Sequence, residues 1–261
     1  MGRSARFLQF TDIHLCASPD ARLKNTRTDG TFAAVAAAAL AGTAEDPPDA
    51  LLLTGDLAQD GSPEAYTRLA GHLSQHSLPA WCIPGNHDNP EILRSRLSGP
   101  RFRHERHADF GPWRLLFLNT HDGDRGGGRL SQSELAEAAR VLTEPGPEHV
   151  LVVMHHHPVP IDSWLDQSAA LDNQDALWAL AEGEPRLRGI LFGHVHQEVD
   201  LLRGDVRILG TPSTCFQFAP GPDIARLDDL PPGWRWLDLH NNGDLSTGLG
   251  WLPADAGGSG S

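Results

Sequence analysis

Six short apolar runs in this chain each stop on a polar residue or a turn. They are Arg6–Asp12 (RFLQFTD), Ala50–Asp56 (ALLLTGD), Ala80–Asp88 (AWCIPGNHD), Trp113–Asn119 (WRLLFLN), Val150–Pro158 (VLVVMHHHP) and Gly189–His196 (GILFGHVH). A continuously apolar run of this length reads as a buried strand. A strand that ends this way puts its last side chains at the carboxyl edge of a sheet, where α/β proteins build their sites. The side chains delivered are Asp12 and His14, Asp56, Asn86 and His87, His155, and finally His194 and His196, all of them metal-ligand types.

Between these runs lie helical patterns at Thr31–Gly42, Pro63–His76, Pro90–Leu97, Ser131–Leu142 and Asn173–Glu182. Ser131 with Glu134 predicts a capping box, and Ser62 ahead of Pro63 predicts a second helix start. The alternation predicts an α/β protein. After His196 the pattern turns to short alternating segments, EVDLL, VRILG and WRWLDL, expected to form a second, more antiparallel sheet that completes a sandwich. No break in composition divides the chain, so residues 1–255 are expected to form one domain and 256–261 (AGGSGS) a flexible tail.

Composition narrows the function classes. The 261 residues can bury a sizeable core unaided. Three scattered cysteines exclude a disulfide framework. The longest apolar stretch, Phe32–Ala41, is far shorter than the roughly 20 residues of a membrane span. No basic-then-apolar leader precedes Asp12, so the expected home is the cytoplasm, away from membranes. A formal charge of −13, from 21 basic and 34 acidic residues, argues against binding a nucleic acid polymer. A small anionic substrate then needs a local cation, and the clustering of the 14 histidines makes metal the first candidate.

Asp12 and His14 stand one residue apart at a strand end and can converge on one ion, and His194 and His196 repeat the spacing. Gly55, Gly85 and Gly193 allow tight turns beside a crowded site. So many N and O donors without a thiolate over-supply one ion, and two ions sharing a bridging carboxylate fit better. Any one of these motifs alone reads more readily as a solvated turn or a pair of packed histidines. Four in this order, each behind an apolar strand, do not.

The segments DIH, GD, GNHD, HHHP and GHVH resemble the signature of the calcineurin-like dinuclear metallophosphoesterases. Within that superfamily TGDLAQD, MHHHPVP, SWLDQ, GHVHQE, TPSTCFQF and PPGWRWLDL are similar to the bacterial class III 3′,5′-cyclic AMP phosphodiesterases, over about Phe7 to Trp251. The resemblance implies a four-layer αββα sandwich, two mixed β-sheets flanked by helices, with a dinuclear site at one end. It implies that Asp12, His14 and His196 hold the first metal, that Asn86, His155 and His194 hold the second, and that Asp56 bridges them. His155 is chosen as the histidine directly after its strand, which leaves His156 and His157 in supporting roles. Iron or manganese is the implied metal, and the donor types permit zinc too. The polar loop CASPDARLKNTRTDGT departs from the apolar stretch usual for the subgroup, which bears on base preference.

The activity so implied is hydrolysis of 3′,5′-cyclic AMP to 5′-AMP by a metal-bridging hydroxide. The departing ribose oxygen needs a proton, and His87, directly after Asn86, is the candidate acid. Asp88 is a candidate to hold the His87 tautomer and its proton, or else a helix cap ahead of Pro90. His14, Asp56, Asn86, His87 and His196 are expected around the phosphate. Phe216, Phe218 and Trp164 are candidates either for a base platform and its rim or for ordinary packing. Cys16 and Cys215 are expected to be small buried hydrophobes. The alternatives are a phosphodiesterase for cyclic GMP, a 2′,3′-cyclic nucleotide or a glycerol phosphodiester, a phosphoprotein phosphatase, and a ligand-depleted binding scaffold of the same fold, which seven intact ligands disfavour.

Overall fold

The computed structural model describes residues 2–253 except Ala44, Asp124, Pro222 and Asp223, so the tail expected at 256–261 lies outside the described residues. In chain order the elements are β1 (Arg3–Phe10), α1 (Thr28–Ala41), β2 (Ala50–Thr54), α2 (Pro63–His72), β3 (Ala80–Ile83), α3 (Pro90–Arg96), β4 (Phe102–Arg103), β5 (His107–Phe110) and β6 (Trp113–Phe117). There follow α4 (Gln132–Thr143), β7 (His149–Val153), a 3-10 turn (Trp164–Gln167), α5 (Gln174–Glu182), β8 (Leu187–Phe192), β9 (Val199–Arg203), β10 (Val206–Gly210), β11 (Gly233–His240) and β12 (Leu245–Trp251).

The strands form two six-stranded mixed sheets, ordered β12-β11-β1-β2-β3-β4 and β5-β6-β7-β8-β10-β9. Strands β1 to β4 run parallel, as do β6, β7, β8 and β10, while β11, β12, β5 and β9 run antiparallel to their neighbours. The expectation of a separate antiparallel sheet after His196 is corrected here. The hairpin β9–β10 extends the second sheet beside β8, and the hairpin β11–β12 extends the first beside β1. Each hairpin supplies backbone partners to a strand that would otherwise leave its hydrogen-bonding edge open.

Alternation along each strand sorts the side chains into layers. On β7, Val150 and Val152 face the helices while Leu151 and Val153 face the other sheet. On β1, Leu8 and Phe10 pack against the α1 and α2 side, and Phe7 points into the middle. Phe7, Leu52, Trp113, Leu115, Leu151, Leu191 and Leu237 fill the space between the sheets. Helices α1, α2 and α3 cover one outer face and α4 and α5 the other. The result is the four-layer αββα sandwich.

Local chemistry departs from the sequence reading at two caps. Ser131 accepts from the Glu134 N–H at 3.0 Å, but the Glu134 carboxylate turns to the Asn119 N–H and Arg106, so only half a capping box forms. Ser62 makes no side-chain cap bond, and α2 starts on Pro63 alone. No helix among the described residues is long and apolar enough to cross a membrane.

Candidate metal centre

Because β1, β2, β3, β6, β7 and β8 share a direction within their sheets, their carboxyl ends gather at one end of the sandwich. The turns after β1, β2 and β8 carry Asp12 and His14, Asp56, and His194 and His196, and all five residues have left-handed backbones with φ between 50° and 70°. For an L-residue that conformation costs about 1 kcal/mol or more, and strain of this kind persists where surrounding structure over-determines it. The determinants here are backbone bonds that lock the turns together: Asp12 N–H to Gly55 O at 3.0 Å and His14 N–H to Asp56 O at 2.8 Å. Gly55 has φ +97°, and a Cβ there would stand 2.3 Å from His155 Nδ1. A Cβ at Gly85 would stand 2.2 Å from Asp56 Oδ1. Both glycines let backbone pass where a methyl group cannot fit.

The donor atoms fall into overlapping sets. Asp12, His14 and His196 converge, with His196 Nε2 3.4 Å from Asp12 Oδ1 and 3.2 Å from His14 Nε2. His155 and His194 converge in a second set. Asp56 stands between them, its Oδ2 3.7 Å from His14 Nε2 and its Oδ1 3.4 Å from His155 Nε2. Asn86 sits between Gly85 and His87, and the His87 N–H donates to Asp56 Oδ1 at 2.9 Å.

The residues fit a pair of metal ions. Asp12 Oδ1, Asn86 Oδ1, His155 Nε2 and His194 Nε2 are buried without a hydrogen-bond partner among the described residues. Polar atoms in that condition are costly unless something else satisfies them. Three of the atoms on the far side of these groups, by contrast, are tied down. His155 Nδ1 donates to Thr54 O at 2.8 Å, His196 Nδ1 donates to Phe216 O at 2.7 Å, and Asp12 Oδ2 accepts from the Thr11 hydroxyl and the His194 N–H, each at 2.8 Å. That is the outer-sphere pattern that orients ligands.

Electrostatics match the donor roles of His14 and His194, while His155 answers to the charge of Asp56. Burial pushes His14 down to about 4, and burial with its histidine neighbours pushes His194 well below its ordinary value, so both present neutral lone pairs. Burial disfavours a charged His155, but Asp56 outweighs it and lifts the ring to about 9. Burial raises the Asp12 carboxyl, yet His196 beside it wins and holds it at about 2. The centre is thus built around two buried carboxylates that stay ionised.

His87 lies at the exposed mouth of this centre, its ring edge-on to His14 with centroids 5.0 Å apart. The expected partnership with Asp88 is not what the structure shows. The Asp88 carboxylate points into the protein and accepts from the N–H groups of Leu57, Ala58 and Gly85 and from the Tyr66 hydroxyl. Its pKa rises to about 6, first through burial and then through the charge of Asp56. Neither does it cap α3, a role Asn89 fills by accepting from Glu91 and Ile92. Successive side chains on a tight turn diverge, so adjacency in the chain is no guide to contact. The group that holds His87 is Gln59, whose carbonyl accepts from Nδ1 at 3.1 Å. Gln59 stands in the TGDLAQD segment, and its side-chain amide nitrogen lies 3.2 Å from the same Nδ1, but nothing local in the sequence ties it to His87.

His156 has the expected supporting contact, its Nδ1 meeting the Thr120 hydroxyl at 2.7 Å. Its other nitrogen, however, is buried without a partner and reaches the His155 and His194 set. His157 faces Asp166 of the SWLDQ segment at 3.2 Å. Phe216 and Phe218 pack at 5.0 and 4.9 Å from the His196 ring, and Trp164 lies edge-on to Phe218 at 5.6 Å. These aromatic side chains are half-buried beside a ligand rather than enclosed in the core. Cys215 is buried as expected, whereas Cys16 is only partly so.

Comparison with known proteins agrees with the geometry. The calcineurin-like phosphoesterase family pattern matches residues 5–198. The 3′,5′-cyclic adenosine monophosphate phosphodiesterase CpdA of Pseudomonas aeruginosa is 39% identical over 94% of this chain and 89% of its own. A 3′,5′-cyclic-nucleotide phosphodiesterase of Nostoc is 34% identical over 94% of this chain and 91% of its own. Among solved structures, a dimetal phosphatase from Danio rerio superposes with a TM-score of 0.68 over 92% of this chain and 94% of its own, at 14% identity, a likeness of fold alone. The chain therefore belongs to the calcineurin-like phosphoesterase family and is a homologue of the bacterial CpdA proteins.

Proposed function

We propose that the protein hydrolyses 3′,5′-cyclic AMP to 5′-AMP at a dinuclear metal centre. The observation that carries this reading is the division of the Asp56 carboxylate, one oxygen toward His14 and the other toward His155. A single buried carboxylate shared between two donor sets is what two neighbouring cations require. In this reading Asp12, His14 and His196 hold one ion, Asn86, His155 and His194 hold the other, and Asp56 bridges. His155 is preferred over His156 because it is the ring that faces Asp56. Iron, manganese or zinc suits the donors. Two such ions, when bound, supply Lewis acidity that polarises phosphoryl oxygens and acidifies water.

The chain's own residues do the rest. His87 gives a proton to the ribose 3′ oxygen as it departs. Gln59 occupies the Nδ1 side of the ring, its carbonyl at 3.1 Å and its side-chain amide nitrogen at 3.2 Å, which leaves Nε2 for His14, Asp56 and the leaving group. His14, Asp56, Asn86, His87 and His196 surround the phosphate. Phe216 and Phe218, backed by Trp164, offer apolar ring faces beside His196 on which a purine can lie. The names of the relatives support a cyclic nucleotide as substrate, and the aromatic platform supports one with a base over a plain glycerol diester.

The test is purified protein loaded with Mn²⁺ and assayed on cyclic AMP, cyclic GMP, 2′,3′-cyclic AMP and glycerophosphodiesters, with products separated by chromatography. Release of 5′-AMP from 3′,5′-cyclic AMP at the highest kcat/KM is the expected result. Preference for a diester without a base, or formation of 3′-AMP, overturns the proposal.

A further inference from the structure

The layer between the two sheets is apolar until it nears the metal centre. There it changes character. Gln9 of β1 and Arg235 of β11 are paired across the antiparallel ladder and point into the layer that Phe7 and Leu237 fill further along the same strands. Both are fully buried, as are Thr54 and Thr211 beside them. An apolar pair would fill this position without the cost of burying a guanidinium that meets only neutral acceptors. Burial draws the Arg235 pKa down to about 10.

These side chains form one connected chain of hydrogen bonds. Arg235 donates from Nε to the Thr211 hydroxyl at 2.9 Å and from Nη2 to Gly210 O at 2.8 Å. The Thr211 hydroxyl donates to Gln9 Oε1. Gln9 Nε2 is shared between the Thr54 hydroxyl at 2.8 Å and Phe192 O at 3.2 Å. Gln9 thereby joins the ends of β1 and β2 in the first sheet to the ends of β8 and β10 in the second. Thr54 and Phe192 each stand two residues before a ligand, Asp56 and His194 respectively. Thr54 also carries the carbonyl that receives His155 Nδ1, and the Thr11 hydroxyl, which holds Asp12 Oδ2, lies 3.2 Å from that carbonyl.

We infer that Gln9 and Arg235, linked through Thr211, are positioning residues that set the separation between the ligands carried by the two sheets, and thereby the affinity for the second metal ion. The inference rests on the two-metal reading of the site. Neither residue approaches the substrate. Their effect passes through Thr54 and Phe192, the last strand residues before the ligand turns. Outer-sphere partners of this kind typically govern metal affinity by about 10- to 100-fold.

The experiment is titration of the metal-free full chain with Mn²⁺, followed by calorimetry and by electron paramagnetic resonance, for the wild type and for Gln9→Leu, Arg235→Leu and Thr211→Val. The wild type is expected to take up two ions and to show the exchange-coupled spectrum of a close pair. Each variant is expected to keep its circular dichroism, to bind one of the two ions about 10- to 100-fold more weakly, and to lose coupled signal at equal loading. Should Gln9→Leu or Arg235→Leu fail to fold, Thr211→Val, which removes one hydroxyl and keeps the side-chain shape, decides alone. Folded variants with wild-type affinity and coupling overturn the brace. A wild-type chain that never holds two ions overturns the site reading itself, and the brace with it.

Discussion

The Nε2 of His155 lies 3.4 Å from Oδ1 of Asp56, so a ring carried by the second sheet faces a carboxylate carried by the first across the seam between them. The other oxygen of Asp56 faces His14. The ligand assignment hinges on this carboxylate, because its two oxygens face the two donor sets. Asp56→Asn leaves one strong oxygen donor and removes one negative charge. We expect bound metal to fall below two per chain, as measured by elemental analysis, and hydrolysis to fall by more than about 100-fold, beyond what outer-sphere changes produce. An Asp56→Asn protein that retains two ions would require a different bridge.

Metal removal should be visible in stability as well as activity. Asp12, Asn86, His155 and His194 turn buried, unpartnered donor atoms to one another, and a cation that binds there binds the folded chain, so binding is linked to folding. A ligand present at 100 times its Kd stabilises by about 2.7 kcal/mol. Prolonged chelation should therefore lower Tm by several degrees and abolish hydrolysis, and Mn²⁺ should restore both. An unchanged Tm alongside full activity after chelation would contradict the metal reading.

Much of this centre is legible in the amino-acid sequence because its chemistry sits at strand ends. An apolar run that stops on Asp12, Asp56 or His194 announces both the strand and the edge where the side chain emerges. What is not legible has physical reasons. The left-handed backbones of five ligands arise from bonds between turns far apart in the chain, such as His14 N–H to Asp56 O. Strand β12 gives no strand signal because its run LSTGLGW lacks alternation. Its Gly248 and Gly250 stand opposite Trp236 and Trp234 of β11, whose rings occupy the space a side chain would need. Gln9 reads as one polar residue in an apolar strand, and nothing local links it to Arg235, which lies far along the chain. The expected pairing of Asp88 with His87 fails because neighbours on a turn point apart.

Asp88 supplies a prediction that separates these roles. Its carboxylate ends the hydrogen bonds of three backbone N–H groups and Tyr66, all buried. Asp88→Ala orphans those donors and should cost roughly 3 kcal/mol or more, or roughly 6 to 12 °C in Tm for a chain of this size. If instead Asp88 served the acid, Asp88→Ala would mimic His87→Ala in its dependence on the leaving group while Tm held steady.

Phe216 and Phe218 are half-buried beside His196, and a base stacked there is worth about 1 to 3 kcal/mol by alanine substitution. Phe216→Ala should raise KM for cyclic AMP by about 5- to 150-fold, the span that energy represents, and leave turnover of bis(p-nitrophenyl) phosphate nearly unchanged. Equal losses on both substrates would mean that the ring supports His196 rather than the base. Metal content measured on the same preparation tells the two apart.

The role of His87 can be isolated by changing the leaving group. A positioned acid contributes about 10² to 10⁴ in rate when the departing oxygen needs a proton, which is roughly 3 to 5 kcal/mol of barrier. A ribose alkoxide needs one and a nitrophenolate barely does. His87 sits at the exposed mouth and is oriented through the Gln59 carbonyl rather than through any ligand, so removing its ring should leave both ions in place. His87→Ala is therefore expected to keep two metals per chain, to lose much of its kcat on cyclic AMP, and to lose far less on bis(p-nitrophenyl) phosphate. Equal losses with metal content intact would recast His87 as an electrostatic clamp on the phosphoryl oxygens. A fall in metal content would move His87 into the ligand set that already brings its ring near His14 and Asp56, and the proton would have to come from His121, whose Nδ1 donates to the Gly85 carbonyl at 2.9 Å.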